Sequence, residues 1–202
     1  MSRAMPRRLQ QPLLSPHSLS WLLALSTLFL LVFLWAPSAG AAMVIDRCGL
    51  EIPDGETAYL VTDLDCAGTG VEGVVLGHRS RLFLLGHTIS SDPSDPGGRQ
   101  GIRCRTGTVC TVVGPGLITG FAASGVAGTR VRLRDLVIAG NGRSGVVAFE
   151  NIILRNVRVE GNGDVAVHAG GRVRARRVVT DDGMSDIVAE HAPPYIPGCP
   201  PS

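Results

Sequence analysis

The sequence predicts an all-β fold: a short, single-stranded, right-handed parallel β-helix of about five coils, preceded by an N-terminal signal or anchor segment. Short apolar segments recur at nearly constant spacing, apolar residues alternate within each segment, and a glycine-rich turn follows each one. No stretch after residue 42 has sustained 3.6-residue periodicity, which excludes a helical solenoid. We divide the chain into a leader at 1–42, a β-helix at 43–190 and a Pro-rich tail at 191–202.

The repeat is clearest in blocks of equal length at nearly regular positions. The blocks are 82–89, 111–118, 131–138, 152–159 and, more weakly, 173–180, so that their starts are separated by steps of 29, 20, 21 and 21. The long first step contains a loop insertion, SSDPSDPGGRQ at 90–100. Apolar residues mostly occupy the first, third, sixth and eighth positions, a pattern that predicts two short strands joined by a corner.

A third short strand follows the turn after each block. These strands are predicted at Gly125-Val126, Gly145-Val146, Ala166-Val167 and Asp186-Ile187. Three strands per coil of about 20 residues are typical of a parallel β-helix, in which stacked coils bury one continuous apolar column. Asn141 and Asn162, one coil apart in the turns, are predicted to stack as a ladder.

The leader has the order of a secretory signal peptide. Residues 1–8 carry three arginines, 20–36 form an uncharged apolar run, and Ala39-Gly40-Ala41 has the spacing of a cleavage site. Cleavage after Ala41 is our expectation, and an uncleaved anchor is the alternative because the run approaches the length of a membrane span. Both alternatives place the body outside the cytoplasm, in the periplasm or the extracellular space, with membrane attachment only through an uncleaved leader.

All five cysteines follow the leader, where an oxidising compartment permits disulfides. Cys104 and Cys110 flank a short turn and are the favoured pair, and Cys48–Cys66 would join the N-terminal end of the helix. Cys199 is left over, either free or available for an intermolecular bond. The spacings match no zinc motif, and the sequence predicts neither a metal nor a cofactor.

Two stretches carry a resemblance to a known family. LDCAGTG at 64–70 and LFLLGHTI at 82–89 resemble the opening of exported bacterial right-handed parallel β-helix repeat proteins. The resemblance covers about 45–190 and implies the fold of the pectin-lyase-like superfamily, which includes pectate lyases, polygalacturonases and alginate epimerases. It implies no particular reaction. His87, within the second stretch, is interpreted as a corner residue that hydrogen-bonds a neighbouring coil.

Catalytic candidates are few. The resemblance to polygalacturonases implies that Asp181 and Asp182 could act as acid and base, with a turn or end cap as the alternative. The matching positions of earlier coils hold Asn162 and Asn141, which puts hydrolysis in doubt. His168 follows Val167, so alternation places it outward and exposed. The chain has no lysine, which excludes Schiff-base chemistry, and both tryptophans lie in the leader.

Charge excludes one class of partner and indicates another. Three of the 19 basic residues lie in the leader, so 16 arginines face 17 acidic residues in the remainder, and no global basic excess points to nucleic acid. Arg134, Arg155 and Arg176 nevertheless recur at steps of 21. Arg132 and Arg174 fall in a second outward column, with Ile153 between them.

Stacked like charges repel, so this face needs counter-charge. It could come from Asp135, Glu150 or Glu160, or from a bound polyanion. The leading hypothesis is therefore a non-enzymatic binding or scaffold protein of the cell envelope that contacts acidic polysaccharide through the five arginines. The alternatives are a carbohydrate-active lyase, epimerase or hydrolase, and a structural protein that stacks end to end. The sequence does not decide the oligomeric state.

Overall fold

The computed structural model describes residues 42–181 and 186–190. These residues form a parallel β-solenoid of about six turns, one more than the sequence predicted. The fold class is therefore confirmed. Asp182, Cys199, the leader and the Pro-rich tail lie outside the described residues.

The strands form two parallel sheets. The larger contains β1 (Met43–Ile45), β3 (Thr57–Leu60), β4 (Leu64–Asp65), β6 (Arg81–Phe83), β7 (Thr88–Ser90), β9 (Val109–Val113), β10 (Leu117–Thr119), β12 (Arg130–Ala139), β14 (Ile152–Glu160) and β16 (Val173–Thr180). The smaller contains β2 (Leu50–Ile52), β5 (Val74–Leu76), β8 (Ile102–Cys104), β11 (Val126–Gly128), β13 (Val146–Ala148), β15 (Val167–Ala169) and β17 (Ile187–Ala189). The smaller sheet confirms the third strand predicted for each coil.

The turns become regular along the chain. Register partners in successive turns of the larger sheet are Val44, Tyr59, Phe83, Val113, Arg134, Arg155 and Arg176. Subtracting neighbouring numbers gives steps of 15, 24 and 30 for the first three turns and 21 for each of the last three. The third and longest turn contains the predicted insertion, which follows β7.

The alignment of the first two blocks was wrong in their leading halves. Leu82 pairs with Val112 rather than Thr111, and Val112 pairs with Leu133. The trailing halves pair as predicted, with Ile118 beside both Ile89 and Ile138. The corners of the first two blocks therefore contain extra residues. An alignment of equal-length blocks without gaps ignores these residues and shifts the predicted partner of each leading strand by one position per turn.

In the turns that begin at Arg134, Arg155 and Arg176 the corner is a single residue with left-handed backbone. Asp135, Asn156 and Arg177 have φ of 56°, 53° and 55°. Buried residues alternate on both sides of this point, and the alternation changes phase across it: Val131 and Leu133 are buried before it, Leu136 and Ile138 after it. Asparagine and aspartate tolerate this backbone better than most residues. The predicted corner is therefore present, inside strands that continue through it.

The core is a stack of apolar columns joined by one polar ladder. Ile138 and Val159 are fully buried neighbours, as predicted. In the turns, the Phe121 amide donates to Asn141 Oδ1 over 3.1 Å. The Asn141 amide and Nδ2 both donate to Asn162 Oδ1, over 3.1 and 2.9 Å. The predicted asparagine ladder is confirmed, and it satisfies polar groups that the stacked turns bury.

Both predicted cysteine pairs lie at disulfide distance. The Cα atoms of Cys48 and Cys66 are 5.8 Å apart, and those of Cys104 and Cys110 are 5.9 Å apart. The second pair closes the turn at 105–108 between β8 and β9, where the Thr108 amide donates to the Arg105 carbonyl. Two such pairs hint at an oxidising, extracellular environment.

Candidate anion-binding face

The leading halves of β12, β14 and β16 present arginines to solvent. Side chains alternate along each strand, so the residues between buried Val131, Leu133 and their counterparts point outward. Arg134 pairs with Arg155 and Arg155 with Arg176, which we call the three-arginine column. Arg132, Ile153 and Arg174 are register partners in a second, interrupted column. All five arginines are exposed.

The acidic residues near this face mostly bind other arginines. Glu150 lies 3.2 Å from Arg130 Nε, and Glu160 lies 3.5 Å from an Arg158 Nη atom. Among the described acidic residues, Asp135 alone reaches one of the five arginines, with 2.9 Å between its Oδ2 and Arg134 Nε. Arg132, Arg155, Arg174 and Arg176 have no carboxylate partner at salt-bridge distance in the described part of the chain. Neighbouring carboxylates therefore neutralise only a small part of the positive charge of the five arginines.

Asp135 orients the first arginine of the three-arginine column. Asn156 Nδ2 donates to Asp135 Oδ1 over 2.8 Å, and Arg134 Nε donates to the other oxygen. The Asn156 hydrogen bond and the Arg134 guanidinium lower the pKa of Asp135 below its ordinary value. Arg134 thus uses its Nε edge within the chain, and its two terminal nitrogens remain as donors.

The three-arginine column continues into an apolar strip on the earlier turns. Tyr59 and Phe83 stack with ring centroids 5.3 Å apart and planes 15° apart. Phe83 pairs with Val113, which pairs with Arg134, so aromatic rings and guanidinium groups share one column. Sequence reasoning missed this contact because the turn from Tyr59 to Phe83 is longer than the constant step on which the repeat was aligned.

The two described catalytic candidates lie apart, Asp181 in a turn and His168 on a strand of the smaller sheet. Asp181 follows β16, and one of its carboxylate oxygens accepts the Gly161 amide of the preceding turn. Asp186 makes an equivalent contact, accepting the Ala166 amide over 2.7 Å. His168 lies on β15, and its Nε2 is 3.2 Å from a Glu190 carboxylate oxygen. These contacts place Asp181 in a turn, and no described contact joins it to His168.

His87 is the corner residue that the sequence predicted. Its Nδ1 lies 3.1 Å from Asp63 Oδ1, which also accepts the Thr88 amide over 2.9 Å. The Thr88 amide, followed by the His87 hydrogen bond, lowers the pKa of Asp63 below its ordinary value. The histidine thus ties its corner to the preceding turn.

Among residues 42–181 and 186–190, no group of three or more His, Cys, Asp or Glu side chains is arranged to hold a metal ion. The same residues include no helix with the length and hydrophobicity needed to cross a membrane.

The fold and this face define the class of the chain: a parallel β-solenoid whose regular turns carry stacked arginines. Comparisons with protein-family models, with curated proteins and with solved structures found no match.

Proposed function

We propose that this protein binds acidic polysaccharide along the three-arginine column and acts as a non-enzymatic binding or scaffold protein of the cell envelope. The observation that carries the proposal is the register of Arg134, Arg155 and Arg176, of which only Arg134 has a carboxylate partner in the described part of the chain. A column of like charges without counter-ions costs folding stability, and a bound polyanion would remove that cost.

The geometry of the column suits a chain of uronic acids. Adjacent strands are about 4.8 Å apart, so the guanidinium groups repeat at a spacing close to the length of one sugar unit in an extended polysaccharide. Arginine pairs carboxylates through two parallel hydrogen bonds, which favours one carboxylate per arginine. The polysaccharide would lie parallel to the solenoid axis, and no general base is needed.

Affinity would come from several weak contacts together. An exposed ion pair contributes about 0–1 kcal/mol, and salt screens it. We therefore expect weak, salt-sensitive binding that strengthens with the length of the oligosaccharide until the three arginines are engaged.

The proposal also covers the export of the protein and the family to which it belongs. We infer an exported bacterial β-helix of the right-handed, pectin-lyase-like kind, whose body of 43–190 follows a signal or anchor segment. Its support is the parallel stacking of strands in successive turns, the stretches at 64–70 and 82–89, and two cysteine pairs at disulfide distance.

The test compares two triple variants that lose the same charge. The first replaces Arg134, Arg155 and Arg176 with glutamine. The control replaces Arg47, Arg99 and Arg143, which are exposed, lie outside the column and have no described salt bridge. Binding of oligogalacturonate and oligoalginate is measured by calorimetry at several salt concentrations, and product release is followed by the absorbance of unsaturated sugars.

Removing the column should weaken binding at least about tenfold, since three contacts of about 0.5 kcal/mol each sum to roughly one decade. The control should change binding much less, and the column variant should melt at an unchanged or higher temperature because self-repulsion is relieved. Equal losses of affinity in both variants would show that binding depends on the net charge of the protein and not on the three-arginine column. Release of unsaturated sugars would show that the protein is a lyase and would refute the non-enzymatic proposal.

A further inference from the structure

A second basic site lies beside the three-arginine column. At this site one turn of the solenoid has short side chains, and the turns before and after it have long ones. The short residues are Asn151, which directly precedes β14, and Ile153, within it, and they line a depression of about 230 Å³. Its walls are four arginines from the turns on either side: Arg130, Arg132, Arg172 and Arg174. We call this depression the four-arginine notch.

The register places the two walls on opposite sides of the notch. Ile153 pairs with Arg132 on one side and with Arg174 on the other. Arg130 and Arg172 directly precede Val131 and Val173, which both pair with Ile152. The walls are therefore two strand spacings apart, about 9.6 Å at the backbone.

The charge in the notch is strongly positive. Arg130 is held by Glu150, with 3.2 Å between Nε and Oε2, and the other three wall arginines have no carboxylate partner in the described part of the chain. The lining includes no acidic residue. Asn151 Oδ1 accepts the Arg172 amide over 2.9 Å, so its Nδ2, which has no acceptor among the described residues, is a further donor.

We propose that the four-arginine notch binds a tetrahedral oxyanion, the sulfate or phosphate ester group of a glycan. An ester of this kind has three free oxygens that diverge from the sulfur or phosphorus, so it can accept from guanidinium groups on two opposite walls at once. A carboxylate has two coplanar oxygens and faces one wall well. Two charge-assisted hydrogen bonds of about 2.8 Å on opposite sides of the anion span much of the distance between the walls.

The inference rests on the proposed function and deepens it by naming the kind of polysaccharide. Arg132 of the notch and Arg134 of the three-arginine column lie two positions apart on β12, with both side chains outward. One glycan could therefore place uronate carboxylates on the column and an ester group in the notch. The ligand class is then an anionic glycan that carries both groups, rather than a plain polyuronate.

The first experiment uses inorganic anions as probes. Sodium sulfate and sodium phosphate are titrated into the mature protein at constant ionic strength, and the arginine Nε–Hε resonances are followed by NMR. We expect saturable binding with one anion per protein, weakened about fivefold when Arg132 and Arg174 are both replaced by glutamine. The Arg47, Arg99 and Arg143 control variant should bind as the wild type does.

A second arm identifies the source of the anion. Glucose 6-sulfate, glucose 6-phosphate and glucose are compared, and both esters should bind at the notch while glucose should not. The ester that binds more tightly indicates the group that the glycan carries. Filling the notch by Ile153→Glu should abolish ester binding, because the new carboxylate occupies the space and neutralises the wall.

Two results would overturn the inference: shifts that never saturate, or equal weakening in the Arg132/Arg174 and the control variants. Either result leaves the proposed function standing if oligouronate still binds and still requires Arg134, Arg155 and Arg176. Conversely, saturable sulfate binding without any oligouronate binding would support the notch and refute the column.

Discussion

The asparagine ladder allows a matched comparison between a buried and an exposed hydrogen bond. Asn141 Nδ2 donates to Asn162 Oδ1 over 2.9 Å, and Asn156 Nδ2 donates to Asp135 Oδ1 over 2.8 Å. Asn141 is 2% exposed, whereas Asn156 is exposed. The changes Asn141→Asp and Asn156→Asp each replace a donor with an ionised oxygen of the same shape. The two sites differ in burial and in the acceptor, which is a neutral amide oxygen for Asn141 and a carboxylate oxygen for Asn156.

The two changes should differ several-fold in cost. In Asn141→Asp an ionised oxygen faces Asn162 Oδ1 without a proton between them, in a buried place. The other oxygen keeps the Phe121 amide as its donor, but a buried charge that lacks an opposite charge costs about 3–5 kcal/mol. In Asn156→Asp two exposed carboxylates can move apart to about 4 Å, where like charges in water repel by about 1 kcal/mol. A loss of about 3–5 kcal/mol is a large part of the roughly 5–15 kcal/mol that stabilises a typical domain.

The cost of Asn141→Asp should depend on pH in a defined direction. Burial raises the folded-state pKa of the new carboxyl above its unfolded value of about 3.9. The folded state therefore holds the proton more tightly, and stability relative to the wild type falls as pH rises through about 4 towards the folded pKa. Below that range the protonated carboxyl can donate to Asn162 Oδ1, and most of the loss should disappear.

Thermal and urea unfolding, followed by circular dichroism between pH 3.5 and 8, measure both effects. At pH 7 the Asn141→Asp variant should melt at least about 6 °C below the wild type, and Asn156→Asp within a few degrees of it. Equal melting temperatures for the two variants would show that the ladder contributes no more than a surface contact. A loss for Asn141→Asp that is the same at pH 3.5 and pH 8 would refute the buried-charge reasoning.

Two further predictions test the core and the leader. The Val159→Asp variant should unfold or fail to be exported, because a carboxyl buried without a partner costs several kcal/mol. The control Val179→Asp, at a position that is 52% exposed, should change stability by only about 0.5 kcal/mol. Similar melting temperatures for the two variants would contradict the inward placement of Val159. Intact mass of the exported protein should show a chain that begins near Ala42 or Met43, and a membrane-bound chain that retains Trp35 would indicate an anchor.

The sequence predicted the later turns better than the earlier ones, for a structural reason. From Arg134 onward each turn has the same length and the same one-residue corner, so a constant step of 21 reproduces the strand pairing. In the earlier turns the corner contains extra residues, and apolar and polar residues still alternate in the strands before and after it. The pattern around Leu82 therefore predicts strands correctly and still misplaces their partners.

The charge partners of the site could not be read from sequence distance. Glu150 and Glu160 are both close in sequence to Arg155, yet they bind Arg130 and Arg158. In a solenoid the nearest charges are one turn away or two positions along the strand, and small differences in side-chain direction decide among them. The arginine columns themselves were predictable because they require only that the turn length be constant.

Constant turn length also connects the fold to the proposed binding face. Arginines that recur at a fixed step stack only where every corner contributes the same number of residues, and Asp135 and Asn156 provide the corners between Arg134, Arg155 and Arg176. Two charges about 4.8 Å apart in water repel by about 0.9 kcal/mol, so the regular turns carry a cost that the irregular ones avoid. The earlier turns place Tyr59, Phe83 and Val113 in the same column and have no such repulsion. The column is thus confined to the regular turns of the solenoid, and the ligand that we propose, an anionic chain with one charge per sugar, would offset its repulsion.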